Sequence, residues 1–383
     1  METWQKPAEE SNPTPAVRVQ SLPDSTRCQL PVTAASTANR FCEHMLTSTC
    51  AVNQTYHPSP WEAHWRANIE TFSDGTTRWA RGCGHLEGKE AEIEQWLAVA
   101  ARRGMGSATA WSEDVLSYHE HIDCHGRRWK VPLEPLVGLL RHPRFHCLKM
   151  QRSKLDATVR DAVALVHEDR TLLGAKEYLL PTWRDELPSH PRSASSLFFD
   201  LGASTYTAGA GGASTSWFVE QYARRGLTFD RIFAWEAKVT PPTHIFGAPM
   251  PLSVVDALSY YNVPLETREG ARHNPLRTLS AVARPSDFVV MKIDFDSPAI
   301  EADLIEQILS SALLVSLVDE LYFEHHTRDN PAMRYKYCWT KFRGPFSCEL
   351  EPGYVGAINA TLHESYELFT RLRNAGIRAH SWV

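Results

Sequence analysis

No stretch of this 383-residue sequence holds eighteen consecutive apolar residues, so nothing in it reads as a membrane-spanning helix. The opening residues, METWQKPAEESNPTP, lack a basic segment followed by an apolar one. A cleaved secretory leader is therefore not expected, and a cytoplasmic location is the default reading. Basic runs are missing too. With a formal net charge of −5 and no cationic stripe, the chain gives no reason to expect a nucleic-acid partner. Cysteine is sparse: eight residues, none in a CxxC pair, a density far below that of a disulfide scaffold and without the spacing of a zinc ribbon. Reduced thiols are the expected state. The triplets at Asn53 and Asn359 fit the glycosylation pattern and carry meaning only in a secreted chain.

What is present is the composition of a globular protein, 43% apolar and 22% charged, in a chain long enough for a large core. Residues 1–60 are rich in Pro, Ser and Thr without a sustained period, which predicts an irregular arm. Residues 61–192 are expected to be mainly helical, from the spacing in Glu90–Ala101, Leu133–Leu140 and Leu155–Val166. From 193 to 383 short apolar runs alternate with helical spacing. Strands are predicted from Leu197, over Arg231–Ala237, Ser259–Pro264, Asp287–Asp296 and Val318–His326, and over Ile377–Val383. Helices are predicted over Ser214–Arg225, Asn274–Arg284, Pro298–Ser311 and Ser365–Ala375. This alternation predicts an α/β domain with a doubly wound, mostly parallel, Rossmann-like sheet, the Leu197 strand lying between those at Arg231 and Asp287. Ligands of such sheets sit beyond the C-terminal strand ends.

Four motifs lie at those ends. The first, FFDLGAS (Phe198–Ser204), continues through TYTAGAGG to a helix. Its glycines allow close backbone approach to a ligand, and Asp200 either organises the loop or binds an amine. The second is Glu236, whose carboxylate after the second strand can accept hydrogen bonds from ribose hydroxyls, or be a solvated charge. It lies 36 residues beyond Asp200, a separation lengthened by the Gly-rich insertion. The third is KIDFDSP, which places Asp294 and Asp296 on one side of an extended strand. Such a pair binds a divalent cation, orients a substrate or accepts a proton, and Asp296 also suits the cap of the next helix. The fourth is Glu324-His325-His326, where either imidazole could serve as general base or metal ligand.

The order FDLGA, then AWE, then VMKID resembles the FkbM-type branch of class I S-adenosylmethionine-dependent methyltransferases. The fuller runs FDLGAS, GAGGAS, DFVVMKID and VDELYFEHH are similar to methyltransferase-like proteins of algae and other protists. The resemblance covers about the C-terminal half. It implies that Asp200, Gly202 and Ala203 line the methionine end of S-adenosylmethionine, that Glu236 holds its ribose, and that Asp294 lies near the transferring methyl. The sequence departs from that pattern in the stretched spacing from Gly202 to Gly209, in Phe295–Pro298 replacing the usual acidic residue, and in the short C-terminus. Three readings follow. The first is methyl transfer to an oxygen or nitrogen nucleophile of a small or glycan-like substrate, with Asp294, His325 or His326 accepting the proton. The second is a silent methyltransferase-like binding module. The third is a metal-dependent transferase built on Asp294 and Asp296 with a His.

Overall fold

A computed structural model describes residues 53–67, 91, 112–122, 126, 128–137, 176–180, 194–207, 214–246, 250–327 and 360–382. These all fall within one compact unit, Val52–Val383. Six strands form a parallel sheet: β4 (Ser196–Leu201), β5 (Arg231–Trp235), β6 (Leu258–Tyr261), β7 (Phe288–Ile293), β8 (Glu320–Phe323) and β9 (Arg378–Ser381). Their order is β6-β5-β4-β7-β8-β9, with every pairing parallel. The order reverses direction at β4, as in Rossmann-like α/β sheets, so the crevice above β4 and its neighbours is the topological switch point. The strand at Leu197 lies between those at Arg231 and Asp287, as the alternation predicts.

All six residues of β4 and all six of β7 are buried. Side chains alternate between faces, so both faces of the sheet centre are covered, and this is why SLFFDL and FVVMKI read as continuous apolar runs. Phe199 stacks on Phe233 across the β4–β5 register, with ring centroids 4.8 Å apart. Phe198, on the opposite face, meets Phe218 of α2 (Thr215–Arg224) and Phe229. At the N-terminal end of the sheet, carboxylates hold the entering backbone. Asp230 accepts from Ser196 N, Asp287 from Ser195 N, and Asp319 from Val289 N, at 2.7–3.1 Å.

The connecting helices start where their caps dictate. Asn274 caps α5 (Pro275–Val282), accepting from Leu276 N at 2.8 Å, with Pro275 in the first turn. Pro298 opens α6 (Pro298–Ser310), and Ser311 caps α7 (Ala312–Leu317). Thr361 and Glu364 form a reciprocal capping box on α8 (Leu362–Asn374). Two short helices, α3 (Pro242–Ile245) and α4 (Leu252–Ala257), fill the segment between β5 and β6.

Ahead of this sheet the structure departs from expectation. The stretch read as an irregular arm contains β1 (Asn53–His57), and the stretch read as mainly helical contains β2 (Ser117–Ile122) and β3 (Arg128–Leu133) beside α1 (Pro60–Ala67). The three strands form an antiparallel sheet, β1-β2-β3. The reason for the misreading is chemical. In β2 the inward residues are Ser117, His119 and His121, so the two-residue period is one of burial without hydropathy. The helical spacings at 90–101, apart from Ala91, and at 155–166 lie outside the described residues. Of that at 133–140, residues 133–137 are described and are not helical, Leu133 ending β3 and 134–137 continuing without regular structure.

A buried ionic cluster ties this small sheet to α8 and β9. The Arg373 guanidinium donates to Ala379 O, Tyr56 Oη, Glu134 O and Glu134 Oε1, and lies 3.5 Å from Glu62. Glu134 also holds His380 Nδ1 at 2.9 Å. Four hydrogen bonds and two carboxylates thereby surround a fully buried guanidinium, which offsets its desolvation.

Candidate functional site

The site is built from the loops that leave β4, β5 and β7. After β4 the chain turns at Gly202, with φ at +90°, and the amides of Gly202 and Ala203 both donate to Trp235 O at 3.0 Å. A Cβ on Gly202 would lie 1.9 Å from Asp294 O, so only glycine lets the β4 and β7 loops approach this closely. Ser204 follows at φ +53°, its N–H donating to Glu236 Oε2 at 3.0 Å. Tyr260 of β6 donates its hydroxyl to Ser204 O. Glu236 takes a second amide, Lys238 N, on Oε1 at 2.6 Å. Both oxygens are thus anchored while the residue keeps partial exposure and lone pairs toward the crevice. Asn262 locks the same turn by donating to the carbonyls of Glu236 and Lys238.

Below this loop lies a buried triad. Lys292 Nζ sits 3.3 Å from Asp200 Oδ1 and 3.5 Å from Asp294 Oδ2, and also reaches Gly202 O at 3.4 Å. Asp200, fully buried, takes a further hydrogen bond from Thr215 Oγ1 at 2.7 Å at the start of α2. Burial alone would lower the Lys292 pKa; Asp200 and Asp294 outweigh it and hold the ammonium above the usual lysine range. Trp382 Nε1 donates to Asp294 at 3.2 Å.

A cavity of about 440 Å³ opens above these groups, within the range of small-molecule sites. Gly202, Ser204, Trp235, Glu236, Lys292, Asp294 and Asp296 contribute to its wall, with Leu265, Phe295 and Ile300 on the apolar side. Three carboxylates face one ammonium, and that ammonium is already paired with Asp200. The lining is therefore net negative and favours a cationic ligand over a pyrophosphate. Tyr260, beside Glu236, is pushed up to about 12 by burial and by that carboxylate, so its hydroxyl remains a donor at neutral pH.

The sequence-derived site residues distribute as follows. Gly202, Glu236, Asp294 and Asp296 line the cavity; Asp200 and Ala203 lie beneath it, Asp200 reaching it through Lys292. His325 stacks on Phe323 and contacts Ser365 Oγ through Nδ1 at 2.9 Å, toward α8. His326 is buried, its Nε2 3.2 Å from Glu324 Oε2 and 3.8 Å from Asp296 Oδ1. Burial alone would lower His326; Glu324, Glu301 and Asp296 turn the shift upward. Burial and the Asp294 carboxylate push Glu324 up. Glu301, whose Oε1 accepts from Phe295 N at 2.9 Å, is raised to about 7 by burial. Sequence reasoning missed Tyr260, Asn262 and Glu301. The first two carried a signal, since SYYNVP is itself a predicted strand with polar groups toward its C-terminal end. Glu301 carried none, being an acidic residue in an amphipathic helix.

No family model, no curated protein and no solved structure matches this chain. Among the described residues, no helix is long and apolar enough to cross a membrane.

Proposed function

We propose that the cavity binds S-adenosylmethionine and that the protein transfers its methyl group to an oxygen or nitrogen nucleophile of a small or glycan-like substrate. The observation that carries this reading is the acidic lining at the switch point. A carboxylate ends β5, where a nucleoside ribose binds in Rossmann-like sheets. Asp294 and Asp296 then supply negative charge where a sulfonium would lie. The same lining disfavours a dinucleotide, whose pyrophosphate would meet three carboxylates.

In this reading Glu236 accepts the ribose hydroxyls, and the amides fixed on its oxygens hold it in place before the ligand arrives. Gly202 lets the ligand lie directly against the backbone. Asp294 stands nearest the transferring methyl, and Lys292 with Trp382 holds its orientation. Methyl transfer is an in-line displacement, so the protein contributes chiefly by positioning. Asp294 is the proton acceptor on the cavity wall. His325 faces α8 and is left to a structural role.

The test is thermal denaturation of the full-length protein with and without S-adenosylmethionine. At one hundred times the dissociation constant, binding to the folded state adds about 2.7 kcal/mol, an easily measured rise in Tm. No rise at millimolar cofactor would remove the reading.

A further inference from the structure

A second group of ligating side chains stands at the edge of the cavity, and the cofactor reading uses only one of them, Asp296, for its charge. Asp296, Glu324 and His326 each present one ligand atom, all within 4.8 Å of one another. His326 Nε2 is 3.2 Å from Glu324 Oε2 and 3.8 Å from Asp296 Oδ1. Donors sharing one ion at bond lengths of about 2.0–2.2 Å lie about 2.8–3.6 Å apart for right-angle to tetrahedral geometry. The Glu324–His326 pair already has that separation. Asp296 Oδ1, on a half-exposed side chain, stands 3.8 Å from Nε2, and an ion would have to draw it closer.

The acidic residues alone would not make a site. The independent observation is His326 itself, only 2% exposed, with both ring nitrogens buried and neither in hydrogen-bond geometry with any group. A buried imidazole almost always has its nitrogens satisfied. Here Nε2 stands 3.2 Å from the Glu324 carboxylate and 3.8 Å from that of Asp296, without hydrogen-bond geometry to either. Glu301 braces the arrangement, its Oε1 accepting the amides of Phe295 and Ser297 on either side of Asp296.

We propose that Asp296, Glu324 and His326 bind a divalent transition-metal ion of the zinc or manganese type. One imidazole with two carboxylates suits these ions better than calcium or magnesium, which take oxygen ligands alone. The three protein ligands leave coordination positions open, and Asp296 lines the cavity, so the open side faces the substrate space. The ligand set differs from the Asp294–Asp296 pair expected from the sequence, because Asp294 is committed to Lys292 and Trp382.

The experiment is titration of the chelator-stripped, full-length protein with MnCl₂ and ZnCl₂, by calorimetry and by electron spin echo spectroscopy of bound Mn²⁺. One ion binds per chain, and the echo carries modulation from a coordinated imidazole nitrogen. Asp296→Asn, at a half-exposed position where folding is undisturbed, weakens binding at least about tenfold. His326→Gln abolishes the nitrogen modulation; should that variant fail to fold, Asp296→Asn and the wild-type spectrum decide alone. Absence of binding at 1 mM metal, binding indifferent to Asp296→Asn, or bound Mn²⁺ without nitrogen modulation overturns the proposal. No cofactor is present in these titrations, so their failure leaves the S-adenosylmethionine reading standing, and the converse holds.

Discussion

Replacing Lys292 by Met tests the electrostatic logic beneath the cavity. Lys292 is 2% exposed at its side chain, and its ammonium is the cation shared by Asp200 and Asp294. Because its pKa is raised in the folded state, the contribution of Lys292 to stability is fully present at neutral pH and is lost only as pH rises through and beyond the lysine range. Methionine matches the stem in length and removes the charge. Asp200, fully buried, is then left with the Thr215 hydroxyl as its remaining side-chain donor. Breaking a buried pair from one side costs about 3–5 kcal/mol, a large part of the roughly 5–15 kcal/mol by which domains are stable. Adding Asp200→Asn to Lys292→Met removes the stranded charge, so the double variant should be more stable than the sum of the single losses by about 1–3 kcal/mol. Urea denaturation followed by tryptophan fluorescence measures all four corners of the cycle. A Lys292→Met loss below about 1 kcal/mol, or strict additivity, would refute the reasoning.

Further outcomes follow from other residues. Gly202→Ala forces a Cβ onto Asp294 O and a left-handed φ onto alanine, so it should lower Tm and abolish any ligand-induced rise. An unchanged thermal shift would contradict the packing account. Glu301, raised to about 7, binds its proton more tightly folded than unfolded, so its contribution to stability should fall as pH rises from about 4.5 to 7. In EDTA, the Tm of Glu301→Gln minus that of wild type should therefore increase between pH 5 and pH 8; a flat difference would count against it. His119 is the reverse case. Burial, then the charges of Arg378, His121 and Arg373, lower its pKa, so its contribution is present above the unfolded value of about 6.5 and is lost as pH falls below it. Nitrogen NMR should find it neutral at pH 5.5 and protonated on Nε2, which faces Arg373 O at 2.9 Å while Gln54 Nε2 donates to Nδ1. An imidazolium signal there would refute this.

The parallel sheet was legible because β4 and β7 are buried on both faces and so appear as apolar runs, LFF and FVVM, with charges only near their C-terminal ends, at Asp200, Lys292 and Asp294. The polar strand ends also marked where the cavity would open. Other features depend on contacts that no local pattern encodes. Lys292 reads as a charge in an apolar strand until the β4–β7 register sets it beside Asp200. His325 and His326 are adjacent in sequence, yet one leans on Phe323 toward α8 and the other turns to Glu324 and Asp296. The strand at 117–122 escaped because its inward face is Ser and His, buried by their bonds to Glu62 and Arg373 rather than by hydropathy.

The central claim is that the carboxylate ending β5 holds a nucleoside ribose. Calorimetric titration of wild type and Glu236→Ala with S-adenosylhomocysteine tests it most directly. Loss of one hydrogen bond to a charged group, worth about 1.5–3 kcal/mol, should weaken binding at least about tenfold. Equal affinity in the two proteins, or no binding by wild type at millimolar ligand, would contradict it.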